Sequence, residues 1–132
     1  MKKMLILVLT LALTLGVCSQ ALAADKYTIA LIAPFTGDNA QYGEAYKTGL
    51  QVLCDEDGGI NGAELTFETF DDASDAAQSP NMAQIVTSDE KYIAAIGSYT
   101  STCALAFGSI FDEAQMPVMV PNAGNSMIAT DY

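Results

Sequence analysis

Ser98-Tyr99-Thr100-Ser101-Thr102 places five hydroxyl-bearing side chains in a row where a predicted strand gives way to a predicted helix. The first amides of a helix have no partner within it, and the dipole there is positive, so such a segment suits a carboxylate. Hydroxyl groups add donors without adding charge. An equally simple reading makes Ser101 or Thr102 a plain helix cap with no ligand. A second chemical-looking run is Asp71-Asp72-Ala73-Ser74-Asp75. Three acids in five residues can hold Ca²⁺, but this run lacks the full ligand spacing of a calcium loop. The chain has no His. That removes Ser-His-Asp and Cys-His catalysis and the commonest metal ligand. Ser101 or Cys103 at a helix start resembles a nucleophile, yet no Lys lies near either in sequence to act as base. Neither catalysis, nor a metal site, nor a cofactor is expected.

The elements that must position these residues follow from periodicity. Tyr27–Ala33 is a mostly apolar run that suits a buried parallel strand, and Pro34 ends it. Asp38 and Gln41 have capping-box spacing before the next helix. Tyr42, Ala45, Tyr46, Gly49, Leu50 and Leu53 then form an apolar stripe at helical spacing. Gly49 on that stripe predicts a close approach to the sheet, and Gly58-Gly59 predicts the helix end. Asn61-Gly62 is a turn signal. Glu64–Phe70 alternates, with Leu65, Phe67 and Thr69 on one face, which describes a partly wet strand at or near a sheet edge. A tight or 3₁₀-like turn at Asp75–Gln78 is followed by a helix from Ser79 as cap and Pro80 as first residue, with Ala83, Ile85 and Val86 inward. Tyr92–Gly97 and Val118–Val120 read as strands three and four, and Thr102–Gln115 as the helix between them. Asn122–Tyr132 reads as a loop. Strand-helix alternation of this kind argues for an α/β fold with a parallel sheet.

Residues 1–23 have the pattern of a secretory signal peptide: Lys2 and Lys3, an apolar Met4–Leu15, and a small-x-small site at Ala21-Leu22-Ala23. Leu15-Gly16-Val17-Cys18 resembles a lipoprotein box as an alternative, with Val17 where a small residue is normal. Cleavage after Ala23 leaves 109 of the 132 residues and removes two lysines, taking the net charge from −11 to −13. Lys26, Lys47 and Lys91 are then the only cations, which makes nucleic acid and anionic membranes poor partners. Cys54 and Cys103 read as two small thiols rather than a disulfide.

Five motifs occur in order: Pro34-Phe35-Thr36-Gly37, Tyr42-Gly43-Glu44, Gly58-Gly59-Ile60-Asn61-Gly62, Asp71-Asp72-Ala73-Ser74-Asp75 and Ile96-Gly97-Ser98-Tyr99-Thr100-Ser101-Thr102. Together they resemble the branched-chain amino acid binding family, the type I solute-binding proteins of ABC transporters. The resemblance runs from about Tyr27 to Tyr132. It implies a Rossmann-like parallel sheet with helices on both faces, strands in the order 2-1-3-4, forming the first part of one lobe of a two-lobed protein. It also implies an exported, periplasmic or extracytoplasmic location and a permease partner. The small-molecule ligand would be an amino acid, branched-chain first.

With that strand order the ligand belongs beyond the carboxyl ends of strands 1 and 3, where the order reverses. The resemblance then puts a carboxylate contact on Ser101 within Ser98–Thr102, and a packing role on Tyr42, which fits the helix stripe equally well. It makes the Asp71–Asp75 run structural. The loop after strand 4, with Asn122, Ala123 and Gly124 as site positions, departs from the family. The expected hydroxyl falls on Gly124, and Asn122, Asn125 and Ser126 match it imperfectly. An amide, a urea-like molecule or a peptide is the alternative ligand class, and a half-lobe with no ligand binding is the alternative outcome.

Overall fold

The computed structural model describes residues 26–57, 60 and 62–131. The expected leader with its Cys18 alternative, the Gly58-Gly59 helix stop and Asn61 lie outside the described residues. Four parallel strands form one sheet: β1 (Lys26–Ala33), β2 (Glu64–Asp71), β3 (Tyr92–Ile96) and β4 (Val118–Met119). Their order is β2-β1-β3-β4, as the resemblance implied. Three helices alternate with them: α1 (Ala40–Asp57), α2 (Ser79–Thr87) and α3 (Ser101–Glu113).

The apolar second half of β1 explains its central place. Ala30, Leu31, Ile32 and Ala33 are all fully buried, because both faces of the sheet are covered. Ala30 and Ile32 face α2 and α3 in a core with Ala83, Val86, Phe107 and Phe111. Phe107 and Phe111 meet edge to face, with centroids 5.2 Å apart. Edge strand β2 is the more polar, as its alternation suggested. Its Phe70 nevertheless turns to the α2–α3 side and meets Tyr92 edge to face at 5.6 Å.

Several local expectations change. Tyr42 on the predicted α1 stripe stays exposed, as do Ala45, Gly49 and Leu53, and nothing lies within 4 Å of a Cβ built on Gly49. The close approach falls on Gly43 instead: a Cβ there would sit 2.0 Å from the Pro34 carbonyl oxygen. The inward row is therefore Gly43, Tyr46, Leu50 and Cys54. Asp38 and Gln41 do not form a box, since α1 starts at Ala40 and its first amides bond the Gly37 and Asn39 carbonyls. The Asp75–Gln78 turn is present, with the Gln78 amide on the Asp75 carbonyl at 3.0 Å. Ser79 is not the cap of α2. It is buried as the first helical residue, and its hydroxyl donates to the Cys103 carbonyl at 3.3 Å. Ala83 and Val86 point inward but Ile85 is half exposed, following the Ser79, Ala83, Val86 spacing. The tail is not all loop: Ser126–Ala129 forms a 3₁₀ turn capped by the Asn125 side chain, which accepts from the Met127 amide.

Candidate ligand-binding site

Parallel strands bring the loops after β1, β2, β3 and β4 to one end of the sheet. Order reverses between β1 and β3, so the β1–α1 and β3–α3 loops flank the crevice there. Gly97 makes the second of these loops possible. Its φ is +144°, and a Cβ on it would lie 2.0 Å from the Ile32 carbonyl oxygen. The chain thus leaves β3 pressed against β1 before it turns into α3.

Thr100 is the cap of α3, one residue before the Ser101 or Thr102 of the simple capping reading. Its Oγ1 accepts from the Cys103 amide at 3.3 Å. The Ser101 and Thr102 amides consequently remain at the helix start without an acceptor among the described residues. Ser101 is partly exposed and Thr102 exposed, and Thr102 shares a 3.2 Å hydroxyl contact with Thr100. Two free amides, the helix dipole and hydroxyls that bear no charge are groups whose chemistry suits a carboxylate.

Tyr42, in the first turn of α1, meets Tyr99 of the β3–α3 loop. Their rings stack with centroids 4.0 Å apart and planes 12° from parallel, and Tyr42 is 37% exposed. The neighbouring Tyr42 phenol raises the Tyr99 pKa. Tyr46, one helical turn along α1 from Tyr42, adds a buried hydroxyl with no hydrogen-bond partner among the described residues. Burial raises its pKa as well. Sequence reading assigned Tyr46 only to the helix stripe. The i, i+4 spacing of the two tyrosines was the available signal.

The other expected site residues are placed differently. Ser98 is fully buried, and its hydroxyl donates to the buried Asp72 carboxylate. Asn122 and Gly124 are exposed on the loop beyond β4, while Ala123 packs partly against the core. No hydrogen bond or ring contact joins these three to Tyr42, Tyr99 or Ser101 among the described residues.

The acidic run is scaffold, as the resemblance implied. Asp71 Oδ1 accepts from the amides of Phe35 (2.8 Å), Ala73 (2.9 Å) and Thr36 (3.3 Å), and Oδ2 accepts from the Thr36 hydroxyl (2.6 Å). Burial pushes the Asp71 pKa up, but the Thr36 hydroxyl and these amides outweigh it and hold the carboxyl below its ordinary range. Asp72 Oδ1 accepts from the Ser74 amide, and Asp75 from the Ala77 amide. No three acids or thiols converge as a metal site among the described residues. Both described cysteines are free. Burial raises the Cys103 pKa, the reverse of what an activated nucleophile needs. A groove of about 500 Å³ lies between α1 and β2, but none of its lining residues belongs to the loop cluster.

Residues 26–132 match the sequence profile of the periplasmic binding proteins. The chain belongs to that family. It is 34% identical over 119 residues to a Leu/Ile/Val-binding protein of Rhizobium johnstonii, covering 87% of this chain and 32% of the relative. The solved leucine-binding protein of Thermotoga maritima superposes with a TM-score of 0.72 at 28% identity, over 77% of this chain and 29% of that one. An R. palustris ABC-transporter solute-binding protein, solved with benzoate, gives a TM-score of 0.72 at 30% identity, over 78% and 29%. The chain spans about a third of the length of the curated relatives it matches. This periplasmic binding protein thus belongs to a family that binds solutes rather than transforming them.

Proposed function

We propose that the chain forms the opening part of the first lobe of an ABC importer's substrate-binding protein, exported by its leader and serving a permease from outside the cytoplasm. Its ligand is a small carboxylate. The relatives point to two classes, a branched-chain amino acid and a benzoate-type acid, which share that group. One observation carries the reading: the Ser101 and Thr102 amides, which have no acceptor among the described residues, follow a partly exposed Tyr42–Tyr99 stack where the strand order reverses. Gly124 brings no hydroxyl, so the carboxylate rests on the α3 start alone in this part of the protein.

A cleft wall by itself leaves most of a ligand in water, and buried ligand surface is what gives such sites their affinity. Binding by this chain alone is therefore expected in the millimolar range. Titration of ¹⁵N-labelled chain with L-leucine, L-isoleucine and L-valine, followed at the Ser101 and Thr102 amides, tests this. Micromolar binding would refute the need for a second wall. Amides unmoved by leucine, isoleucine, valine and benzoate alike would refute the site.

A further inference from the structure

The Tyr42–Tyr99 stack says something about the body of the ligand as well as its carboxylate. We propose, building on the carboxylate site above, that Tyr99 is a specificity-determining residue and that the site prefers a flat aromatic carboxylate to a branched aliphatic amino acid. The two rings lie 12° from parallel at 4.0 Å, so they present one flat slab rather than a cup. Tyr42 is 37% exposed and Tyr99 is partly exposed, so part of the slab is open to solvent. A planar ring covers such a surface with offset stacking, whereas a branched side chain touches it through a few methyl groups.

Sequence adjacency places the slab and the carboxylate site side by side on the chain. Tyr99 immediately precedes Thr100, whose capping leaves the Ser101 and Thr102 amides free. In benzoate the ring is bonded directly to the carboxylate and conjugated with it. A ligand of this kind engages a carboxylate site and a neighbouring ring without fixing a rotor. Leucine puts two tetrahedral carbons between carboxylate and branch point, so its branch meets the slab only through rotatable bonds.

Benzoate and L-leucine titrated separately into the ¹⁵N-labelled 132-residue chain test this, with the Ser101 and Thr102 amides as reporters. Benzoate is expected to half-saturate at about tenfold lower concentration than leucine, the scale of one aromatic stacking contact. Tyr99→Phe keeps the slab and should keep that ratio. Tyr99→Leu removes it and should bring the ratio to within about twofold. Leucine binding as tightly as benzoate, or a ratio unchanged in Tyr99→Leu, overturns the specificity role while leaving the carboxylate site standing. Amides unmoved by both compounds overturn the site itself, and this inference with it.

Discussion

Two neighbouring loops at the same end of the sheet invert what their compositions suggest. The end of β2 and the loop after it carry three acids and look reactive, yet Asp71, Asp72 and Asp75 are all bonded to backbone amides. The β3–α3 loop carries no formal charge, yet the Ser101 and Thr102 amides that follow it at the start of α3 have no acceptor among the described residues. The difference teaches that a carboxylate near many local amides folds its own loop first. A neutral loop that opens a capped helix keeps its donors for something else. The two are joined where Ser98 donates to Asp72, so the acidic loop holds the neutral one in place.

Removing that join has the largest expected effect. Asp72→Ala strips acceptors from the fully buried Ser98 hydroxyl and from the partly buried Ser74 amide. Stranded buried donors cost on the order of 3 kcal/mol together. Urea unfolding should show a loss of about that size, and the Tyr99–Thr102 amide resonances should broaden or move. A variant of unchanged stability would mean that the two loops are not coupled.

Asp71 gives the next effect, and it depends on pH. Its carboxyl is held below the ordinary range, so it stabilises the fold above the unfolded value of about 4. That contribution is lost as pH falls through the depressed folded pKa. Asp71→Asn should cost about 1.5 kcal/mol at neutral pH, a charge-assisted bond in a partly exposed place. The gap between variant and parent should close on acidification. Equal acid limbs in the two unfolding curves would remove Asp71 from the scaffold.

How much of this was legible in the sequence depended on whether local chemistry or tertiary geometry decided the outcome. Strand-helix alternation and the apolar run at Ala30–Ala33 disclosed the parallel sheet. Even the polar character of β2 announced its edge position. The helix stripe misled, because Gly49 and Gly43 both fit helical spacing. Only the path of Pro34 across the helix selects Gly43. Ser79 looked like a cap because Pro80 follows it, but its burial beside Cys103 recruits the hydroxyl to a carbonyl in α3 instead. In the site, the hydroxyl run was visible and the stack was not. Tyr42 and Tyr99 are far apart in sequence, and no local pattern indicates that their rings meet.

Thr100 separates capping from binding within the neutral loop. Thr100→Ala removes the side-chain acceptor of the Cys103 amide. It should cost about 1 kcal/mol in urea unfolding, the usual value of such a cap. Thr100→Ser retains the acceptor and should lie within about 0.5 kcal/mol of the parent. A Thr100→Ala chain as stable as the parent would mean that the cap contact adds nothing.

Ser101→Ala is the smallest expected change in stability and the sharpest test of the contrast between the loops. The Ser101 hydroxyl makes no hydrogen bond among the described residues and is partly exposed, so its loss should leave unfolding within about 0.5 kcal/mol of the parent. Carboxylate binding should weaken about tenfold, the loss of one hydrogen bond to a charged group. Ser98→Ala supplies the control, because that hydroxyl serves Asp72 rather than the crevice. Its expected signature is reversed, with stability lost chiefly through the unpaired Asp72 oxygen. If Ser101→Ala unfolds early and binds normally, the neutral loop is scaffold like its acidic neighbour, and the distinction between the two disappears.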